Sequence, residues 1–199
     1  MSGKWYQKHT KDHYVKEANK QGLRSRAVFK LQEIQTKHTI LKRGDCVLDL
    51  GSAPGAWSES LAQMVGHQGL VAACDILDMQ PIKGVHFIQG DFLAADTKKQ
   101  IIAVSNEFDV IVSDMAPNLT GTEVTDQANM FELVEQVTQF CHEHLKQDGR
   151  LLMKVFSGSM INEVVMLFKN MFNKVKTVKP SASRQASKEI YLIGEGFRV

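Results

Sequence analysis

The 199-residue chain contains no run of about 18 consecutive apolar residues, which excludes a membrane-spanning helix of ordinary length. Its opening residues, MSGKWYQKHT, are polar and basic and lack the apolar centre of a secretory leader, so export is not expected. Cysteine is scarce: Cys46, Cys74 and Cys141 are odd in number, far apart and form no Cys-x-x-Cys pair. Each lies in an apolar stretch, so reduced, buried thiols in a cytoplasmic protein are expected. The seven histidines do not gather with these cysteines, and no metal site is expected. No repeat or low-complexity linker divides the chain. With 43% hydrophobic residues it can form one domain spanning 1–199, in which 1–22 are a basic segment expected to be flexible.

The net charge of +2 conceals an uneven distribution. Residues 1–43 hold eleven Lys and Arg against Asp12, Glu17 and Glu33, while the remainder is acidic overall. A second basic stretch, Lys169, Lys174, Lys176, Lys179, Arg184 and Lys188, contains no acid. Two basic segments on an acidic body point to a polyanion bound over one region. Lys8, Lys11, Lys16, Arg24 and Arg26 are the expected phosphate contacts, with Trp5 or Tyr14 available to stack on a base.

Ser25 reads as the N-cap of a helix reaching about Thr36, with Val28, Leu31 and Ile34 facing inward. Beyond it, strand and helix patterns alternate. Residues 46–50, 70–76, 85–88, 108–113, 150–156, 175–179 and 190–194 read as strands, and 57–65, 126–145 and 161–172 as helices. Apolar strands separated by helices predict a mostly parallel seven-stranded sheet, covered on both faces, of the Rossmann-like α/β class. Only residues 180–188 separate the last two strands, too few for a crossover helix, so the last strand should run antiparallel.

Asp49-Leu-Gly-Ser-Ala-Pro-Gly55-Ala-Trp57 joins the first strand to a helix, as a nucleotide-binding turn does. A dinucleotide fingerprint would place glycine at 51, 53 and 56, yet 53 and 56 are alanine, and Pro54 removes an amide from the pyrophosphate cradle. Carboxylates are abundant instead: Asp49, Asp75, Asp91 and Asp114 close four successive strands. One such acid is readily explained as a turn former, but four on one rim favour a ligand with a positive centre. S-adenosylmethionine, with its sulfonium and ammonium, fits better than a nicotinamide dinucleotide. Asp75 stands where an acid would grip ribose hydroxyls, and Asp91 where one would meet an adenine amine under Phe92.

Asp-Leu-Gly-Ser-Ala-Pro-Gly-Ala-Trp, Gln-Gly-Asp-Phe, Ser-Asp-Met-Ala-Pro-Asn, Lys-Val-Phe and the 22–31 stretch closely resemble the FtsJ-like ribose 2′-O-methyltransferases, in order and over nearly the whole chain. The resemblance implies S-adenosylmethionine-dependent methylation of a uridine ribose in the 23S RNA of the large ribosomal subunit, and the chain is expected to act as a monomer. It carries a Lys-Asp-Lys-Glu tetrad onto Lys30, Asp114, Lys154 and Glu189, and cofactor contacts onto Gly55, Trp57, Asp75, Asp91 and Asp114, to which the motif reading adds Gly51 of the turn and Phe92 over the adenine. Trp57 can equally be core. A ribose hydroxyl is a weak acid, and Lys154 is the expected general base, or, if its carboxylate neighbours keep it charged, the cation facing the alkoxide. Methylation of a tRNA loop or an mRNA cap, or a non-catalytic role in ribosome assembly, are the alternatives.

Overall fold

The computed structural model describes residues 13–184 and 186–198. Two helices, α1 (His13–Lys20) and α2 (Ala27–His38), precede an alternating series. It runs β1 (Cys46–Leu50), α3 (Ala56–Val65), β2 (Leu70–Asp75), β3 (Val85–Gln89), α4 (Ala95–Val104) and β4 (Phe108–Ser113). It continues with α5 (Glu123–His144), β5 (Leu145–Phe156), α6 (Ile161–Met171), β6 (Phe172–Val178) and β7 (Glu189–Phe197).

The sheet order is β3-β2-β1-β4-β5-β7-β6. All neighbours up to β5 are parallel, and β7 inserts antiparallel to both β5 and β6. The chain goes one way from β1 to β2 and β3, and the other way through β4. The crevice beyond the ends of β1 and β4 is therefore the switch point at which open α/β sheets bind ligands.

The period-2 alternation of strand side chains sorts the apolar residues into two cores. Leu48, Leu50, Ile111, Leu151 and Met153 pack with α4, α5 and α6 on one face. Val47, Val110, Val112, Leu152, Tyr191 and Ile193 pack with α2 and α3 on the other. Asp49, Lys154 and Glu189 share the parity of the second set. They thus lie on the face covered by α2 and α3, and Asp114 continues that parity two residues beyond Val112.

Several local expectations are corrected. Within the N-terminal segment, where no helix is expected, α1 covers His13–Lys20, with Ala18 buried. The helix after it begins at Ala27 with Arg26 as its flanking residue; Ser25 Oγ accepts the Ala27 N–H at 3.2 Å but stands one residue too early to be the cap. Its C-terminal end, two residues beyond the expected one, is fixed by Gln35, whose side chain bonds both the N–H and the C=O of Leu41. Helix α4 had no counterpart in the sequence reading: only Thr97 and Ile101 are buried, too few apolar positions to show a helical stripe. Strand β5 starts five residues early, where Leu145 pairs with Phe108.

A largely buried latch holds the α2–β1 connection to the sheet. Arg150 donates to Ile40 O at 2.6 Å and to Asp45 Oδ2 at 2.9 Å, and Asp45 also accepts the Lys42 N–H at 2.7 Å. Asp45→Ala is expected to destabilise the fold by roughly 2–3 kcal/mol in urea unfolding, because it strips a largely buried guanidinium of its counter-charge and the Lys42 N–H of its acceptor. A change below about 0.5 kcal/mol, the usual range for an unconstrained surface position, would contradict this reading of the latch.

Candidate active site

The cleft at the switch point encloses about 630 Å³ and is lined in part by Gly51, Asp75, Asp91, Phe92, Met115 and Leu133. Gly51 is required twice over: its φ is +77°, and a Cβ there would meet Met115 Cγ at 2.2 Å. Asp75 shapes the loop beneath it, accepting the Ala53 N–H and the Leu77 N–H, each at 2.8 Å. Asp91 is exposed and accepts the Leu93 N–H at 3.0 Å, while Phe92 sets its ring edgewise on Phe140. Ile76, Leu77 and Leu93 stand 69%, 63% and 46% exposed at the mouth, an apolar rim that a bound planar group would cover.

Three of the residues expected to touch the cofactor lie outside the lining. Gly55, φ +99°, flanks the start of α3, and a Cβ on it would strike Ile82 and Met79. Trp57 is 3% exposed, donates its indole N–H to Ala27 O at 2.8 Å and packs on Tyr191, so its side chain is core. The Asp114 carboxylate instead meets Tyr191 and Lys154 in a cluster beside Met115 of the lining.

That cluster gathers the four tetrad residues from α2, the end of β4, β5 and the start of β7. Lys30 Nζ lies 2.5 Å from Glu189 Oε1, and Lys154 Nζ lies 3.3 Å from Asp114 Oδ1 while also donating to the Asp114 carbonyl. Tyr191, which sequence reasoning missed, joins the two ion pairs. Its hydroxyl donates to Asp114 Oδ1 at 2.6 Å and lies 3.4 Å from Glu189 Oε1. The signal was available: Tyr191 pairs with Lys154 across β5–β7 and shares the parity of Glu189. Lys30 also sits 5.7 Å above the Tyr191 ring.

Burial pushes the Glu189 carboxyl up, but the Lys30 charge and hydrogen bond, the Lys154 charge and the Ser183 hydroxyl outweigh it and hold the group below the usual range. Burial first, then Asp114 and Glu189, drives the Tyr191 phenol far up, so it remains a donor. Asp49, on the α2/α3 face of β1 and wholly buried, accepts the Ser58 hydroxyl at 2.6 Å, and its Oδ1 has no protein partner. Burial, with Asp114 and Asp75 nearby, pushes it up to about 7.

The expected RNA contacts fare unevenly. Arg24 clamps three carbonyls, Pro54, Gln80 and Pro81, at 3.1–3.3 Å and so braces the cleft loops rather than offering its charge outward. Tyr14 lies against Phe29, with its hydroxyl 3.3 Å from Ser181 Oγ, fastening α1 to α2 and to the 181 loop. Lys16 is exposed on α1. Trp5, Lys8 and Lys11 lie outside the described residues. Among the described residues no three His, Cys, Asp or Glu are grouped as metal ligands, and no helix is long and apolar enough to cross a membrane.

A Rossmann-like sheet with an acid-lined cleft at its switch point and a lysine–carboxylate cluster at the cleft's end defines the class of S-adenosylmethionine-dependent methyltransferases. The glycine-walled floor, the acidic lining and the orphaned Asp49 oxygen fit a cationic donor of that kind. A family model described as FtsJ-like methyltransferase matches residues 23–197, and the chain belongs to that family. It is 46% identical to ribosomal RNA large subunit methyltransferase E of Marinobacter nauticus, over 100% of this chain and 97% of the relative. A crystal structure of a ribosomal RNA methyltransferase from Plasmodium falciparum superposes with a TM-score of 0.77 at 31% identity, covering 87% of this chain and 98% of that one. Aeropyrum pernix fibrillarin with bound S-adenosylmethionine gives 0.58 at 14% identity, over 84% and 73%, a likeness of fold alone.

Tyr191→Phe keeps the ring but unlinks the ion pairs, and methyl-transfer kcat is expected to fall about tenfold with the fold intact, the scale of one lost hydrogen bond to a charged group; an unchanged kcat would remove Tyr191 from the site. For Asp49, a folded-state value above the unfolded 3.8 means a stability cost that enters as pH rises past about 4 and is complete above about 7. Asp49→Asn keeps an acceptor for Ser58, so it is expected to stabilise the ligand-free protein by roughly 2–4 kcal/mol at pH 8 and not at pH 4. Equal melting of the two proteins at pH 8 would contradict it.

Proposed function

We infer that the chain transfers a methyl group from S-adenosylmethionine to the 2′-hydroxyl of a uridine in 23S RNA of the large ribosomal subunit, working in the cytoplasm as a single-domain monomer over residues 1–199. The carrying observation is the convergence of Lys30, Asp114, Lys154 and Glu189, from four distant stretches, at the end of an acid-lined cleft. The full-length likeness to a large-subunit ribosomal RNA methyltransferase supports the substrate class.

When bound, the donor supplies an electrophilic methyl on sulfur. The protein's part is to place the ribose oxygen in line with it and to manage the oxygen's proton, and positioning alone can account for several kcal/mol of a barrier. Lys154 has three N–H directions at most, and Asp114 takes two, through its carbonyl and its carboxylate. The remaining direction meets the ribose hydroxyl. Neutral, the amine takes the proton; charged, it steadies the developing alkoxide. Lys30, paired with Glu189, borders the same space and holds the sugar, and Tyr191 keeps both carboxylates in place. Asp75 and Asp91 hold the donor's ribose and adenine ends, with Gly51 allowing close approach. Phosphate affinity comes from the basic N-terminal and 169–188 segments, through charges not already committed, as those of Arg24 and Lys188 are.

Lys154→Ala is expected to lower turnover by roughly 10²-fold or more, the scale of a lost proton-handling group, while leaving donor affinity within about threefold. In a strain lacking the gene, one uridine 2′-O-methyl of 23S RNA should vanish, return with the wild-type gene and stay absent with Lys154→Ala. An unchanged methylation map would reject the substrate, and rescue by the alanine variant would reject catalysis.

A further inference from the structure

A second cavity, of about 400 Å³, opens on the same rim of the sheet and shares no lining residue with the donor cleft. Leu119, Asp126, Gln127, Phe156, Ser187 and Lys188 contribute to its walls. It begins where the tetrad ends. Phe156 follows Lys154 by two strand residues, about 7 Å, and pairs across β5–β7 with Glu189 itself. The Ser157 N–H donates to Lys188 O at 2.7 Å, and Leu119 stands on the loop that leaves β4 at Asp114.

Its walls are fixed by the chain itself. Asp126 Oδ1 accepts the N–H and the hydroxyl of Thr120 at 2.6 and 2.8 Å, and Oδ2 accepts the Gly121 N–H at 3.2 Å. Lys188 reaches Glu123 at 2.8 Å across the outer edge. Gln127 is only 5% exposed. Its Oε1 accepts the Met160 N–H at a long 3.4 Å, and its Nε2 donates to no protein group among the described residues. The amide lies against Gly158, where a Cβ would meet its carbon, nitrogen and oxygen at 2.3–2.4 Å. A buried amide donor without a protein partner calls for one from outside the chain.

Charge and distance select the occupant. Glu123 and Asp126 outnumber Lys188 in the lining, which disfavours a phosphate, whereas an apolar face beside a polar edge suits a neutral heterocycle. We propose that this cavity receives the nucleobase next to the methylated uridine, with Phe156 and Leu119 against its face and the Gln127 amide on its edge. This rests on the methyl-transfer reading and deepens it to the choice of target. A ribose held at Lys154 brings its covalently attached neighbour within reach of Phe156. Single-stranded RNA is read in this way, its bases splayed apart, stacked on side chains and hydrogen-bonded at their edges. Seating the neighbour fixes the register of the strand, so that one ribose hydroxyl and not the next is presented to the methyl. Gln127 Nε2 donates to an acceptor on the base, and a base lacking one at that place leaves the amide unpaired.

The test uses the full chain and large ribosomal subunits from a strain lacking the gene. Leu119 is exposed, so Leu119→p-benzoylphenylalanine can be placed there and activated by light on the bound subunit. It is expected to crosslink 23S RNA at the nucleotide beside the methylated uridine. Phe156→Ala is expected to raise KM for subunits about tenfold or more, the scale of one lost base stack, and Gln127→Leu about fivefold. Affinity for S-adenosylmethionine stays within about twofold in both, which reports an intact fold and donor cleft. Exchange of one flanking base raises KM for the wild type, and Gln127→Leu removes that discrimination. A crosslink to a ribosomal protein or to a distant nucleotide would overturn the proposal. So would KM within about twofold of wild type in both variants, or discrimination unchanged in Gln127→Leu. If Phe156→Ala does not fold, the Gln127 and Leu119 variants decide. Wild-type protein that leaves the subunits unmethylated would overturn the methyl-transfer reading, whereas methylation indifferent to all three substitutions overturns this proposal alone.

Discussion

The site depends on a chain of five side chains, Lys30, Glu189, Tyr191, Asp114 and Lys154, with an ion pair at each end and a neutral phenol in the middle. Two ammonium groups near one another repel, and two carboxylates do the same. Each lysine here has its own acid, and a neutral phenol lies between the acids. Tyr191 is fully buried, and burial together with the acids keeps its proton on, so it donates without adding charge. The arrangement needs one face of the sheet. Asp114, Lys154, Tyr191 and Glu189 follow the apolar residues that pack on α2 and α3, and α2 delivers Lys30 over the phenol ring. A one-residue slip of β7 against β5 would send Tyr191 to the opposite core and separate the pairs.

Much of this was legible beforehand because strands and their terminal acids leave local signatures. The switch point followed from counting strands, and the tetrad from motifs that resemble a known family. The omissions have physical causes. Tyr191 reads as an ordinary strand aromatic, and only the cross-strand register with Lys154 makes its hydroxyl part of the site. Helix α4 buries two residues and so carries almost no periodic signal. Arg24 reads as a surface cation, yet three carbonyls from separate loops converge on it. Trp57 sits in a binding-loop motif, but its indole is drawn into the core by Ala27 O and the Tyr191 ring.

The cleft and the cluster meet at the end of β4, where Met115 lines the cleft and its neighbour Asp114 is paired to Lys154. Beneath them Asp49 bears the cost of an uncompensated carboxyl in the core. A fold optimised for stability alone would replace such a group with an apolar one.

The central claim is that the acid-lined cleft holds the cationic donor with its reactive end toward the amine of Lys154. The most direct measurement is a crystal structure of the protein soaked with S-adenosylmethionine. The account predicts the adenine end near Asp91 and Phe92, and the sulfonium methyl directed at the space between Lys30 and Lys154. A donor bound elsewhere, or one whose methyl faces away from that space with the tetrad side chains dispersed, would contradict it.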